Sequence, residues 1–167
     1  VGGADVESYY KAHPDEFTGP EEAKVQVGLV PRPPDESEFA PAKERLRPIR
    51  DELLASPDSF EARAKVYSEI NSAVRGGALP GPTAWDNIRP AFKNGLANLR
   101  PGQISEILQE ERSVHLLRVD SRGPDPVTKR DMILYHEIVL RVEPGPNAYR
   151  AAREKAKEFI KESEKSD

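Results

Sequence analysis

FEARAKVYSEINSAVRGGALPGP, residues 60–82, is the stretch on which the reading of the fold turns. Phe60, Ala64 and Tyr67 recur at spacings of four and three and so share one face of a short helix. Ser56-Pro57-Asp58-Ser59 just ahead offers its caps. Gly76-Gly77 and the following Leu79-Pro80-Gly81-Pro82 have to form a loop, because glycine permits backbone angles and close approaches that side-chain-bearing residues resist.

Upstream of this stretch, Lys24 to Val30 sets Val25, Val27 and Leu29 on one face against Gln26 and Gly28 on the other. That is strand periodicity, stopped by Pro31. A helix is expected over 36–55, with Phe39, Leu46, Ile49, Leu53 and Leu54 on its apolar side and Pro41 and Pro48 trimming or kinking it. Near the start of the chain, Asp5 caps a short helix through Tyr9, Tyr10 and Ala12, which ends before the His13-Pro14 step.

Downstream, 87–99 resumes helical spacing, and 104–108 and 114–119 read as strands joined by the charged turn Gln109-Glu110-Glu111-Arg112. Met132 to Val142 is a further strand. From Asn147 to about Glu162 runs a charged amphipathic helix with Ala152, Ala156, Phe159 and Ile160 on one stripe. Comparing residue n with residue n+110 pairs Pro34 with Pro144, Ala42 with Ala152, Glu44 with Glu154, Phe39 with Tyr149 and Leu29-Val30 with Val139-Leu140. Either the last segment opens a second copy of the strand–helix unit, or two helices rich in Ala, Glu and Lys align by chance.

Composition narrows the function classes. The chain has 167 residues, enough for one main core and one or two flanking elements. Its 25 basic and 29 acidic residues are interspersed, with no basic stripe to neutralise a run of phosphates, so nucleic acid is not expected as a partner. No apolar run approaches the roughly 18 residues that span a bilayer. Cysteine is missing, which excludes disulfides, thiolate nucleophiles and cysteine metal sites. His13, His115 and His136 show no metal-ligand spacing, so neither a metal nor another cofactor is expected.

The 60–79 stretch resembles the parvulin pattern of a helix running into a Gly-Gly-Asp-Leu-Gly loop, and the motifs after it keep the parvulin order. Pro90-Ala91-Phe92 resembles the helix that carries the proline-pocket aromatic. Leu99-Arg100-Pro101-Gly102-Gln103-Ile104-Ser105 resembles the turn before the closing hairpin, and Val114-His115-Leu116-Leu117-Arg118-Val119 resembles the final strand. The implied fold is α+β, a small antiparallel four-stranded sheet covered by about four helices, with a flanking N-terminal helix and a C-terminal strand–helix. The segment 9–17 is similar to the helix leading into parvulin domains of the periplasmic SurA and surface PrsA foldase groups. The expected division is therefore a linker helix from a preceding chaperone segment at 1–23, a parvulin-like domain at 24–122, and a strand–helix extension at 123–167, the start of a second parvulin repeat if the n+110 match is real.

Parvulins catalyse rotation about X–Pro bonds, whose barrier of about 18–20 kcal/mol reflects lost amide resonance. Such catalysis needs an apolar slot for the pyrrolidine ring and polar groups that favour the twisted amide. The resemblance makes Phe92, with Ile88 one helical turn earlier, the floor of that slot, adds Ile70 and Leu79 as substrate-binding residues, and makes His115 the catalytic-site histidine. The polar set around them is depleted. The first-strand partner of His115 falls at Val27 or Gly28, neither of which can hydrogen-bond an imidazole through its side chain. The usual Asp or Cys falls at Ile70 or Asn71, the loop Asp is Ala78, and the glycine before the final strand is Ser113. His136 lies beside the corresponding position of a second copy, with Glu137 at the aligned place, and reads as a solvated strand-edge histidine.

Two functions follow from the resemblance. One is a module of a protein-folding factor that binds unfolded or extended client polypeptide, with weak or no isomerase activity. The other is an active peptidyl-prolyl isomerase acting on X–Pro bonds of secreted clients. The resemblance to secreted foldases implies an extracytoplasmic setting, periplasmic or cell-surface, with any membrane tether supplied by parts of the parent protein outside this chain, although the fold also occurs in small cytosolic isomerases.

Overall fold

The computed structural model describes residues 3–16, 25 and 27–163. Its longest helix, α2 (Glu36–Ala55), starts at a capping box. The Asp35 side chain accepts from the Ser37 N–H at 3.0 Å, and the Glu38 carboxylate accepts from the Asp35 N–H at 2.8 Å. Pro41 and Pro48 both lie inside the helix without ending it. Each removes a backbone donor, and the stripe Phe39, Ala42, Leu46, Ile49 and Leu53, all buried, offsets that loss. Full burial of a side chain such as Leu46 or Leu53 contributes about 1.5–3 kcal/mol.

The sheet has four antiparallel strands in the order β1-β4-β3-β2, where β1 is Thr83–Ala84, β2 Leu108–Glu110, β3 Ser113–Pro124 and β4 Asp131–Arg141. Strand alternation sends β3 and β4 side chains to two different cores. Val114 and Leu116 face across to Leu140 and Ile138, and pack with α2 and with Phe60 and Ala64 of α3 (Phe60–Tyr67). On the other face Leu117, Val119, Ile133 and Tyr135 pack with Ile88 and with Phe92 and Leu96 of α4 (Pro90–Leu96). Ser105, fully buried, explains the Ile-Ser pair of the turn motif. Its hydroxyl accepts from the Leu117 N–H at 3.0 Å and donates to the Glu106 carbonyl at 2.6 Å, tying the turn to β3.

The four-stranded α+β architecture agrees with the sequence reading, but one strand comes from elsewhere in the chain. Of the expected first strand 24–30, Lys24 and Gln26 lie outside the described residues. Val25 and 27–30 belong to no strand, with Val25, Val27 and Leu29 exposed at 77%, 80% and 91%. β4 takes the interior position between β1 and β3 instead. It wins because its apolar residues continue over both faces: Ile133, Tyr135, Ile138, Val139 and Leu140 are all buried, whereas the shorter stretch has glycine at position 28.

Three local readings are also corrected. The hairpin turn is Glu111–Arg112 alone, since Gln109 and Glu110 pair with Val114 and Ser113, and Ile104 makes only an isolated bridge to Arg118. The helix expected over 87–99 is Pro90–Leu96, preceded by a 3-10 turn at Trp85–Asn87. Ile88 is therefore extended (φ −66°, ψ 134°) and shares a core with Phe92, not a helix face.

Outside the two cores, α1 (Gly3–Ala12) buries none of its residues, and α5 (Pro146–Ser163) buries only Ala148. Gly77, at φ +83°, holds the tightest loop contact. Its carbonyl accepts from the Glu137 N–H at 2.9 Å, and a Cβ there would collide with the carbonyl oxygen of Glu137.

Candidate functional site

Pro90 at the first position of α4 pre-sets the helical backbone angle, and Arg89 at the N-cap points back over the helix that follows. Phe92 reaches the sheet two residues into the helix. Its ring meets the His115 imidazole edge-on, centroids 4.8 Å apart at 61°, and the Tyr135 ring at 6.5 Å and 89°. The Arg89 guanidinium lies 4.0 Å above the Phe92 ring. Its two ends are held by carboxylates, Nη1 to Glu110 at 2.6 Å and Nη2 to Glu137 at 3.3 Å.

The consequence is a closed site. Phe92 has no exposed surface, Ile88 has 3% and His115 2%. The His115 Nε2 lies 2.7 Å from the Ser113 hydroxyl and 3.5 Å from Glu110. Its Nδ1 makes no hydrogen bond and sits 3.5 Å from the Glu137 carboxylate. Burial holds the Tyr135 phenol above its ordinary pKa, against the opposing pull of the Arg89 charge.

Beside the imidazole is an open depression of about 410 Å³. Ile70, His115 and Val139 line it together with the charged Arg89, Glu137, Arg112, Arg141 and Glu143. Neither Phe92 nor Ile88 lines it. The structure thus splits the expected site residues into two groups. Ile70 and His115 face the depression, while Phe92, Ile88 and the partly buried Leu79 form the sealed core beneath Arg89.

Val27 and Gly28 belong to no strand, and the place opposite Leu117, next to the imidazole, is filled by Glu137. The n+110 match carried that signal, since it aligns Val27 with Glu137. Arg89 and Glu110 carried no comparable signal, being ordinary charged residues in sequence. His136 is not a solvated strand-edge residue: its ring is mostly buried on the opposite face, with Nδ1 2.5 Å from Asp120 and the ring 6.3 Å from Phe60. Asp120 is also held by Arg118 at 2.8 Å. Among the described residues, no group of three acidic or histidine side chains is placed to hold a metal ion.

Comparison with known proteins agrees with this architecture. The family model for the rotamase, the PPIC-type PPIase domain, matches residues 27–121. The chaperone SurA of Polaromonas sp. (strain JS666 / ATCC BAA-500) is 34% identical over 119 residues, 70% of this chain and 24% of the relative. Peptidyl-prolyl cis-trans isomerase Pin1 of Digitalis lanata is 35% identical over 77 residues, 46% of this chain and 64% of the relative. The SurA of Cupriavidus metallidurans is 35% identical over 89 residues, covering 18% of that protein. The chain thus spans under two thirds of each of these relatives.

Proposed function

The chain belongs to the PPIC-type peptidyl-prolyl isomerase (rotamase) domain family, and from that premise we propose that it is a client-holding module of a protein-folding factor with weak or no isomerase activity. The observation that carries this reading is the lid on Phe92. A pyrrolidine ring needs an open apolar slot, and here the aromatic floor is covered by Arg89, itself held at both ends by Glu110 and Glu137. The polar groups expected to favour a twisted amide are replaced by Ile70 and Ala78, and His115 faces two carboxylates where a second imidazole is expected.

The depression over Ile70, His115 and Val139 suits an extended peptide. It is open, and its lining mixes the apolar Ile70 and Val139 with side chains of both signs of charge, so it can accept backbone and mixed side chains with little selectivity. The SurA relatives are named chaperones, and on that likeness the module belongs to a larger extracytoplasmic factor. A second reading, active isomerase, is favoured by one observation: the Arg89 side chain is 44% exposed, so the lid has room to swing off the ring.

A proline tetrapeptide exchange assay run alongside fluorescence anisotropy with an unfolded, labelled polypeptide tests the two readings. The expected result is saturable polypeptide binding with isomerisation close to the uncatalysed rate. Strong acceleration by the unmodified chain sinks the holding-module reading in favour of the enzyme.

A further inference from the structure

Two stretches of this chain match one place in the sheet. β4 holds the interior position, yet the family match begins at Val27 and stops at Ser121, before β4 starts. The n+110 register sets Val27 on Glu137, Gly28 on Ile138, Leu29 on Val139 and Val30 on Leu140. In the same register both stretches lead into a helix at matching positions, α2 at Glu36 and α5 at Pro146.

The first turns of those two helices also converge in space. The Glu38 carboxylate accepts from the N–H of Ala148, its own n+110 counterpart, at 3.4 Å, and the Asn147 amide donates to the hydroxyl of its counterpart Ser37 at 3.3 Å. β4 therefore leaves the sheet at the point where α2 begins, which is where a strand running directly into α2 would also have to end. The stretch that would supply such a strand lies outside the sheet, with alternate apolar side chains exposed, Gly28 resting against the Phe159 ring and the Arg32 guanidinium 3.5 Å above Tyr149.

We propose that 27–30 and 131–141 of the same chain exchange for the interior position of the sheet, and that this exchange uncovers the proline pocket. The exchange stands on topology alone; the uncovering rests on the reading of Phe92 as the pocket floor. Ile138 is fully buried and Gly28 would leave its place empty, so the β4-filled form dominates by a factor on the order of a hundred or more. In the exchanged form Val27 replaces Glu137. One of the two carboxylates that hold Arg89 over Phe92 is lost, and with it the acidic neighbour of the His115 Nδ1. The chain thereby carries its own inhibitory strand.

Hydrogen exchange read by mass spectrometry on the full chain tests this. The wild type is expected to protect 131–141 and leave 27–30 unprotected. Gly28→Ile adds the missing core side chain and crowds the glycine off Phe159, and combined with Ile138→Gly it should reverse the two protections. Gly28→Ile alone leaves β4 intact and should still speed exchange across 131–141 by at least tenfold while 27–30 gains protection. If the single variant leaves both stretches at wild-type rates, or the double variant keeps helical circular dichroism with 27–30 still unprotected, the exchange is overturned. Protection of 27–30 that grows with protein concentration overturns the intramolecular form and assigns the strand to a second copy. A proline tetrapeptide is then titrated into the Gly28→Ile chain. Tighter binding than wild type supports the uncovered pocket, and reversed protection without tighter binding retains the exchange and sinks the pocket reading.

Discussion

Replacing Arg89 with alanine removes the lid from Phe92, and its cost follows from the three interactions that the guanidinium makes. The Arg89 side chain is 44% exposed, so its pair with Glu110, 22% exposed, is screened by solvent and contributes under about 1 kcal/mol. The guanidinium over the ring adds about 0.5–1 kcal/mol, the range for a partly exposed cation–π contact. The larger consequence falls on Glu137, whose side chain is 8% exposed and would lose its cationic partner, at about 1 kcal/mol after allowance for water entering the vacated space. The sum is about 2 kcal/mol. For a chain of this size that lowers Tm by roughly 4–8 °C. Thermal melts followed by circular dichroism at low and high salt measure it, and the gap should narrow with salt because part of it is ionic. In the same variant the Phe92 ring becomes reachable, so proline tetrapeptide binding should strengthen although the fold has weakened. A variant that melts within about 1 °C of the wild type and binds no more peptide would show that Arg89 neither clamps the site nor covers it.

Three further outcomes are expected. Gly77→Ala should destabilise the chain by about 2–4 kcal/mol, because the position sits at φ +83° and a methyl group would strike the Glu137 carbonyl; a denaturant midpoint unchanged from wild type would refute that geometry. Ser105→Ala should cost about 1–3 kcal/mol by leaving the Leu117 N–H buried without an acceptor, and hydrogen exchange at Leu117 should quicken more than at its neighbours. Glu38 is held below its ordinary pKa of 4.5, chiefly by the Gly145 N–H and then by those of Asp35, Ala148 and Asn147. A carboxyl lowered on folding stabilises the fold above about pH 4.5, and that contribution is lost as pH falls through the depressed value. Denaturant midpoints taken from pH 6 to pH 3 should therefore fall more steeply for the wild type than for Glu38→Gln.

The helices were legible where apolar periodicity was sustained. α2 matches its expected range at both ends because its apolar stripe outweighs two prolines; the capping box of Asp35 and Glu38 that starts it is seen only in the structure. The strand assignment failed at 24–30 for a reason that local sequence does not contain. Val25, Val27 and Leu29 alternate as a strand should, but a longer segment with fuller burial competes for the same hydrogen-bonding position, and only the n+110 register pointed to it. At the site, Phe92, Ile88 and His115 were named through the resemblance; Phe92 touches the His115 ring and shares a core with Ile88, while His115 opens with Ile70 onto the depression on the other side. What closes the site was not legible, because Arg89, Glu110 and Glu137 are far apart in sequence and gain their meaning only when α4, β2 and β4 meet.

Trp85, the chain's single tryptophan, leaves the molecule with a built-in optical reporter. It is partly buried against the core that contains Phe92, with the Arg122 guanidinium 4.1 Å over its indole. Arg122 is in turn anchored to Asp131, the first residue of β4, at 2.9 Å. Any rearrangement that draws β4 away strips Arg122, a β3 residue, of that anchor and frees the cation over the ring, so the emission colour and quenching of one indole register the state of the sheet without a label.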